Sequence, residues 1–442
     1  MKKFHVQVKE NSPLVEAKMN EEIHAQAKDN SPSIENILRP ISYTAWLLGV
    51  GIARPRKCPK AITIIIRMIH MAVCSYVMIR DTKYYFANIQ VDIRVYIYYF
   101  IDRMIYYIST FYYIYHGIRL YNKWPELMDR LKELDQNIRK ETSMNYRFLK
   151  IVEALAIFTT FIFCPLWPII KILNYYLNVS HIVHETYIIR MLYYYILAQS
   201  LINSFVFVVV VYVLYCRFQI INKLIGQLEK LSNVQWIAFK IRRIRKLHAD
   251  VCDLASMVND IHGLHLLFCS ANCFTMAIVS LFFVFKYVKH FSWVDLIQHF
   301  LFIVYSMQFC LICWICTLAS QESNRTGRIM HKVIMNCQPL SLDNRDAINQ
   351  SSLEMRSARE DWNNVKNYNC SSHNLYVVRN FLHKNLDQKC VRKEVNDFSI
   401  QLQQNRVVFT ACDFFEMNNA SFGYFVGVIV TYLILFVQFN TF

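Results

Sequence analysis

The chain ends TYLILFVQFNTF (residues 431–442), where Thr431, Tyr432, Gln438 and Phe439 frame five apolar residues. An amide near the end of an apolar helix is costly against lipid and tolerable beside a water-filled path. Upstream, Gly423, Gly427 and Thr431 recur every fourth residue, a row of small side chains that permits close helix approach. Thr431 and Gln438 are seven residues apart and share a helix face to within about 20°. With Ile434 and Leu435 between them, that face reads as the lining of a narrow, mostly hydrophobic path that gates by dewetting. The plainer alternative is one glutamine reaching out at the membrane edge.

The rest of the chain agrees with a membrane setting. Of 442 residues, 55% are hydrophobic and 15% aromatic, too apolar for an ordinary soluble domain of this size. A helix needs about 20 apolar residues to cross a bilayer. Seven stretches qualify, near 61–79, 95–115, 149–173, 191–215, 265–287, 293–318 and 419–440. The fold class expected is therefore an all-α membrane protein of seven transmembrane helices. No signal-peptide pattern precedes them, and residues 1–60 read as a cytosolic N-terminal segment.

Charge orients the bundle. With the N-terminus inside, the inside segments carry 10 Lys and Arg in 1–60, 7 in 116–148, 8 in 216–264 and 13 in 319–418. The outside loops carry 5: Arg80, Lys83, Arg94, Arg190 and Lys289. The positive-inside rule then gives a cytosolic N-terminus and an extracellular C-terminus. The same asymmetry accounts for the net charge of +16, so no nucleic-acid partner is inferred and the lipid bilayer is. The run KIRRIRK (240–246) reads as the solvated or headgroup-facing stripe of a cytosolic helix. None of the 14 cysteines falls in an outside loop, so no extracellular disulfide is expected. Asn178 opens a sequon in the second outside loop and is the candidate glycosylation site.

Four regions follow: the segment 1–60; helices one to six with cytosolic helical extensions and a ligand pocket over 61–318; a cytosolic loop over 319–418; and the pore-lining last helix over 419–442. Leu127, Leu131 and Leu134 share one face of a helix near 121–140, and Ile220, Leu224 and Leu228 do so near 219–231. Residues 338–376 are rich in Ser, Asn and charge, lack apolar periodicity and read as a disordered insert. An anchor helix leading to the last span is expected after Tyr376.

No enzyme motif rises above background: there is no Gly-rich phosphate loop, H-E-x-x-H or G-x-S-x-G, and no cofactor or metal is implied. Cys310, Cys313 and Cys316 recur every third residue and read as small packing residues, since a metal would need a fourth ligand. Ionisable groups within spans are costly and more telling. Arg67 and His70 lie in span one, and Asp102 and Arg103 in span two; each is a buried structural group or a ligand contact. The candidate ligand contacts are Tyr99, Asp102, Trp167, Tyr194, Gln199, Gln298 and His299, which place aromatic and polar groups in the outer halves of spans two to six and suit a small polar or amphipathic ligand. The aromatics alone also fit an interfacial belt.

The ending T-Y, five apolar residues, Q-F resembles the signature of insect gustatory receptors, and Thr431, Tyr432, Gln438 and Phe439 match it fully. QLQQNRVVFTACDFFEMNN (401–419) is similar to that family's approach to its last helix. The resemblance is sequence-specific over about 400–440 and architectural over the whole chain. It implies the insect chemoreceptor ion channel fold with a cytosolic helical anchor, and a tastant-gated non-selective cation channel. Four subunits, identical or related, would surround one pore, with Gln438 and Phe439 at its constriction and the small-molecule tastant in the outer pocket of each. Leu433 stands where the sugar-responsive branch commonly has Glu, and the insert is longer than the pattern. Odorant-receptor-type channels are the nearest alternative. A G-protein-coupled seven-helix receptor would have its N-terminus outside, an extracellular disulfide and N-P-x-x-Y in the last span.

Overall fold

The computed structural model describes residues 34–56, 58–88, 93–142, 147–158, 169, 184–228, 234–287, 293–337 and 390–440. It is helical throughout, and among the described residues the β structure is one isolated bridge, Thr410 to Glu416. In chain order the helices are α1 (Ile34–Ile37), α2 (Arg39–Leu47), α3 (Lys60–Asn88), α4 (Ile93–Arg119), α5 (Lys123–Arg139), α6 (Arg147–Phe158), α7 (His184–Gln227), α8 (Val234–Tyr287), α9 (Trp293–Cys337), α10 (390–404) and α11 (Asn419–Asn440).

Each expected span falls on one of these helices, except that 149–173 is described only through Phe158. By length and composition alone, four segments among the described residues suffice to cross a membrane: Lys60–Lys83, Tyr195–Gln227, Trp236–Phe282 and Phe302–Lys332; Asn419–Leu435 is a shorter apolar helix. Arg94, Asp102, Arg103 and a tyrosine-rich sequence lower the apolarity of α4 without interrupting it. The expected insert 338–376 and the start of the anchor helix at Tyr376 lie outside the described residues, as do Trp167 and Asn178.

The chain divides into two compact units. The first holds residues up to Val209, Phe268–Gln308 and Thr431 onward. In it α3, α4 and the start of α7 meet around Cys74, Val77, Tyr107 and Ile196, flanked by Val73, Met78, Met104, Phe111 and Leu192. α5 buries Leu127, Leu131 and Leu134 on one face, as their spacing requires. The N-terminal segment is not peripheral here: Ile41, Ala45, Leu48, Val50 and Ile52 are all buried. Its turn through Gly49 (φ 69°) and Gly51 (φ 63°) uses backbone that L side chains rarely adopt. Arg54 then stacks on Tyr121 at 3.6 Å and donates to its carbonyl oxygen.

Arg67 explains how a cation sits among these helices. It is 1% exposed. Its Nη2 donates to the carbonyl of Gly51 (2.7 Å) and its Nη1 to that of Ile114 (3.2 Å). The guanidinium ties the Gly49–Gly51 turn to the end of α4, and Gly117 leaves the space for it: a Cβ there would lie 1.5 Å from Arg67 Nη1. Arg103 faces Asp81 on α3 (3.6 Å), and Asp81 also accepts a short hydrogen bond from the Tyr107 hydroxyl.

The second unit holds Val210–Leu267 and Phe309–Val430. Asn222 on α7 donates to the carbonyl oxygen and carboxylate of Glu322 (both 2.8 Å) and accepts from Thr326 (2.7 Å), fixing α7 to α9. His248 on α8 lies between the rings of Phe218 (5.5 Å) and Phe398 (5.7 Å). Burial pushes this imidazole down to about 4, so it is neutral at pH 7. Arg245 joins α8 to α10 through Glu394 (3.2 Å) and Asp397 (3.1 Å). The stripe read from KIRRIRK is thus divided: Arg242 and Lys246 are exposed, Ile241 and Ile244 are buried, and Arg245 is committed to a double ion pair.

Candidate functional site

Two places in the fold concern the expected chemistry. The first is the polar interior of the first unit. His70, Tyr195 and Gln199 converge there beneath the glycine turn. Tyr195 Oη contacts His70 Nδ1 (2.5 Å), the other ring nitrogen of His70 meets the Leu47 carbonyl (3.0 Å), and Gln199 Nε2 donates to the Leu48 carbonyl (2.6 Å) and to Tyr195 Oη (3.0 Å). Gln199, a predicted ligand contact, therefore spends its amide N–H groups on the fold. Its Oε1 is buried without a hydrogen-bond partner among the described residues.

Beside it, α4, α7, α8 and α9 face one another with polar groups inward. The Tyr106 hydroxyl donates to Met276 (3.6 Å) while its ring meets Tyr305 edge-on at 5.7 Å. Tyr305 donates to the Leu197 carbonyl (3.2 Å), Gln308 to the Leu201 carbonyl (3.3 Å), and Asn272 to Ser109 (3.3 Å). Side chains thus satisfy buried carbonyls between helices. Tyr106, Tyr305, Gln308 and Asn272 were not among the predicted contacts; aromatic and amide residues at helical spacing look the same in sequence whether they face inward or outward. Tyr99 and Asp102 fall on α4, Tyr194 on α7, and Gln298 and His299 on α9; their side chains lie outside the described residues.

The second place is the last helix. A tight turn delivers the chain to it: Ala411 N donates to Phe415 O (3.0 Å), Met417 N to Phe409 O (2.8 Å), and Cys412 (φ 52°) and Asp413 (φ 60°) sit in left-handed backbone. Such conformations are uncommon outside glycine and persist where surrounding contacts fix them. The fixing contact is Asn259 on α8, whose Oδ1 accepts from Thr410 N (2.7 Å) and whose Nδ2 donates to Thr410 Oγ1 (3.2 Å). Asn418 Oδ1 then caps α11 by accepting from Ser421 N (2.9 Å), and Thr317 Oγ1 of α9 accepts from Asn419 N (2.9 Å). Phe309 packs against Phe422 (6.2 Å) and Phe425 (5.3 Å).

Beyond Phe425 the helix is offered outward. Val426, Val428, Val430, Tyr432, Leu433, Ile434, Leu435 and Val437 are exposed, as are Thr431 and Gln438, and Tyr432 meets Phe274 edge-on at 6.3 Å. A Cβ placed on Gly423 or Gly427 would meet nothing within 4 Å. Phe439 falls on α11 with its side chain outside the described residues. A helix apolar on all sides and held at its base demands an apolar or protein environment from outside the subunit.

These features define an all-helical architecture with several helices long and apolar enough to cross a membrane. The sequence model of the 7tm chemosensory receptor family matches residues 38–351 and 368–441, and the chain belongs to that family. The fold is similar to that of the insect olfactory receptor OR5 from Machilis hrabei in complex with eugenol, with a TM-score of 0.60 at 12% identity, covering 91% of this chain and 98% of that one. A second structure of OR5 from Machilis hrabei gives a TM-score of 0.58 at 12% identity over the same shares. No curated protein sequence matches the chain significantly.

Proposed function

We propose that this chain is a gustatory receptor: a tastant-gated, non-selective cation channel in the plasma membrane of chemosensory neurons. It would work as a homotetramer or with related receptor subunits. The observation that carries the reading is α11, anchored at its base by Thr317 and Phe309 and exposing Val428, Val430, Thr431, Ile434, Leu435 and Gln438 beyond it. Four such helices around one axis complete a pore, with Thr431, Ile434 and Leu435 along the hydrophobic path and Gln438 and Phe439 at the constriction. The T-Y…Q-F ending favours the gustatory branch. The fold shared with OR5 keeps an odorant-type receptor as the second reading, and OR5's eugenol is a small-molecule precedent.

In this reading the tastant enters the polar interior of the first unit. Tyr99, Asp102, Trp167, Tyr194, Gln298 and His299 contribute contacts, and Gln199 contributes its remaining acceptor. Gating requires that the tastant bind the open state more tightly than the closed one. Because α8 holds the turn leading into α11 through Asn259 and α9 holds the first residue of α11 through Thr317, a small rotation of either would tilt the pore helix. Whole-cell recording from non-neuronal cells with G-protein signalling blocked, across sugars, amino acids and bitter compounds, tests this. A rapid cation current from cells with verified surface receptor is expected. A ligand response that vanishes when G-protein signalling is blocked would overturn it.

A further inference from the structure

We infer that the second unit carries a binding site for a soluble organic polyphosphate, a nucleoside triphosphate or an inositol polyphosphate. The site is a cleft of about 460 Å³ at the start of α8, lined by Phe239, Arg242, Arg243, Arg245, Lys246 and Gln401. Arg245 is engaged there by both Glu394 and Asp397. Gln401 Nε2 donates to the backbone carbonyl of Arg245 (3.1 Å), so α10 holds this wall of the cleft rigidly. Arg242 and Lys246 are exposed and form no ion pair among the described residues. Unpaired cations brought together in one concavity raise each other's electrostatic energy, and a multivalent anion relieves it.

The ligand chemistry follows from the residue types. Guanidinium forks match phosphate oxygens bidentately, and the exposed Arg242 presents one at the cleft beside the Lys246 ammonium. Trp236 (48% exposed) and Phe239 (54% exposed) stack at 5.6 Å with 12° between their rings, and Lys240 lies 5.7 Å over Trp236. Exposed stacked rings at the rim of a cationic cleft give a planar base or an inositol ring an apolar edge to rest on.

On the expected fifth span, 265–287, helix geometry favours a free anion over a lipid headgroup. Lys246 precedes the first residue of that stretch, His265, by 19 residues of continuous α8. At 1.5 Å per residue that is about 28 Å, and an ordinary tilt of about 20° shortens the depth only slightly. The headgroup layer extends roughly 6 Å beyond the hydrocarbon, so bilayer phosphates fall short of the cleft.

The test uses the full-length chain in nanodiscs, with ATP, inositol hexakisphosphate and soluble inositol trisphosphate as free probes and phosphatidylinositol bisphosphate in the disc as the lipid arm. Saturable binding of at least one free polyphosphate is expected. It should be weakened about tenfold or more by the double variant Arg242→Ala/Lys246→Ala. The double variant Arg328→Ala/Lys332→Ala, which removes exposed cations of α9, should retain it. Both pairs are exposed, so each variant is first matched to the parent in thermal stability. Equal weakening by both double variants, no saturable binding of any free probe, or binding of the lipid alone would each overturn the assignment. The outcome is independent of whether the chain conducts ions.

Discussion

Gly117→Ala is expected to prevent the receptor from reaching the cell surface as a folded protein. The added methyl would lie 1.5 Å from Arg67 Nη1, 2.4 Å from Arg67 Cζ and 2.1 Å from the carbonyl oxygen of Gly51. Real Cβ atoms do not approach so closely, and one of these neighbours is backbone. If the guanidinium moves, the carbonyls of Gly51 and Ile114 lose their donor and a buried cation loses its partners. Breaking such an arrangement costs roughly 3–5 kcal/mol, a large share of the net stability of a folded domain. Surface biotinylation and fluorescence-detected size exclusion read the effect. Gly226→Ala is the control, because a Cβ there meets nothing within 4 Å. A Gly117→Ala receptor that matches the parent in surface level and thermal midpoint would mean that Arg67 does not bridge Gly51 and Ile114.

Asn259→Ala should leave the bundle folded and loosen the entry to the last helix. The substitution removes both hydrogen bonds to Thr410 and strands a backbone N–H beside a turn that already holds Cys412 and Asp413 in left-handed conformations. The cost is about 2 kcal/mol, near thirtyfold in the local opening equilibrium. Hydrogen exchange resolved to peptides covering 406–418 measures it, with peptides from α5 as an internal reference. Faster exchange confined to that turn is expected. Unchanged exchange there would show that Asn259 does not clamp it, whereas acceleration across both units would make it a general stability residue.

Much of this architecture was legible in the sequence. The last helix occupies 419–440, the stretch its apolar run marked out, and α5 buries the leucines whose spacing set its face. What escaped is carried by contacts that sequence does not display. Arg67 is satisfied by two backbone carbonyls, and nothing in side-chain types points to a backbone partner. Asn259 and Thr410 are 151 residues apart. Ile41, Ala45, Val50 and Ile52, in the stretch read as a cytosolic N-terminal segment, are core, because a glycine-directed turn folds back among the helices. KIRRIRK read as one solvated stripe, since a run of like charge conceals that one member has carboxylates waiting on a helix about 150 residues later. Gln199 was found by type and position, but its engagement with Leu48 O and Tyr195 Oη depends on that same turn.

The central claim is that α11 lines an ion pathway, and single-channel recording of Gln438 variants addresses it most directly. Gln438→Ala and Gln438→Glu receptors, matched to the parent for surface expression, are compared in unitary conductance and in relative permeability to sodium, potassium and calcium. If Gln438 stands at the constriction, the negative ring of the Glu variant raises calcium permeability and the Ala variant changes conductance, with tastant affinity little altered. Unitary conductance and selectivity identical to the parent in both variants would contradict the account.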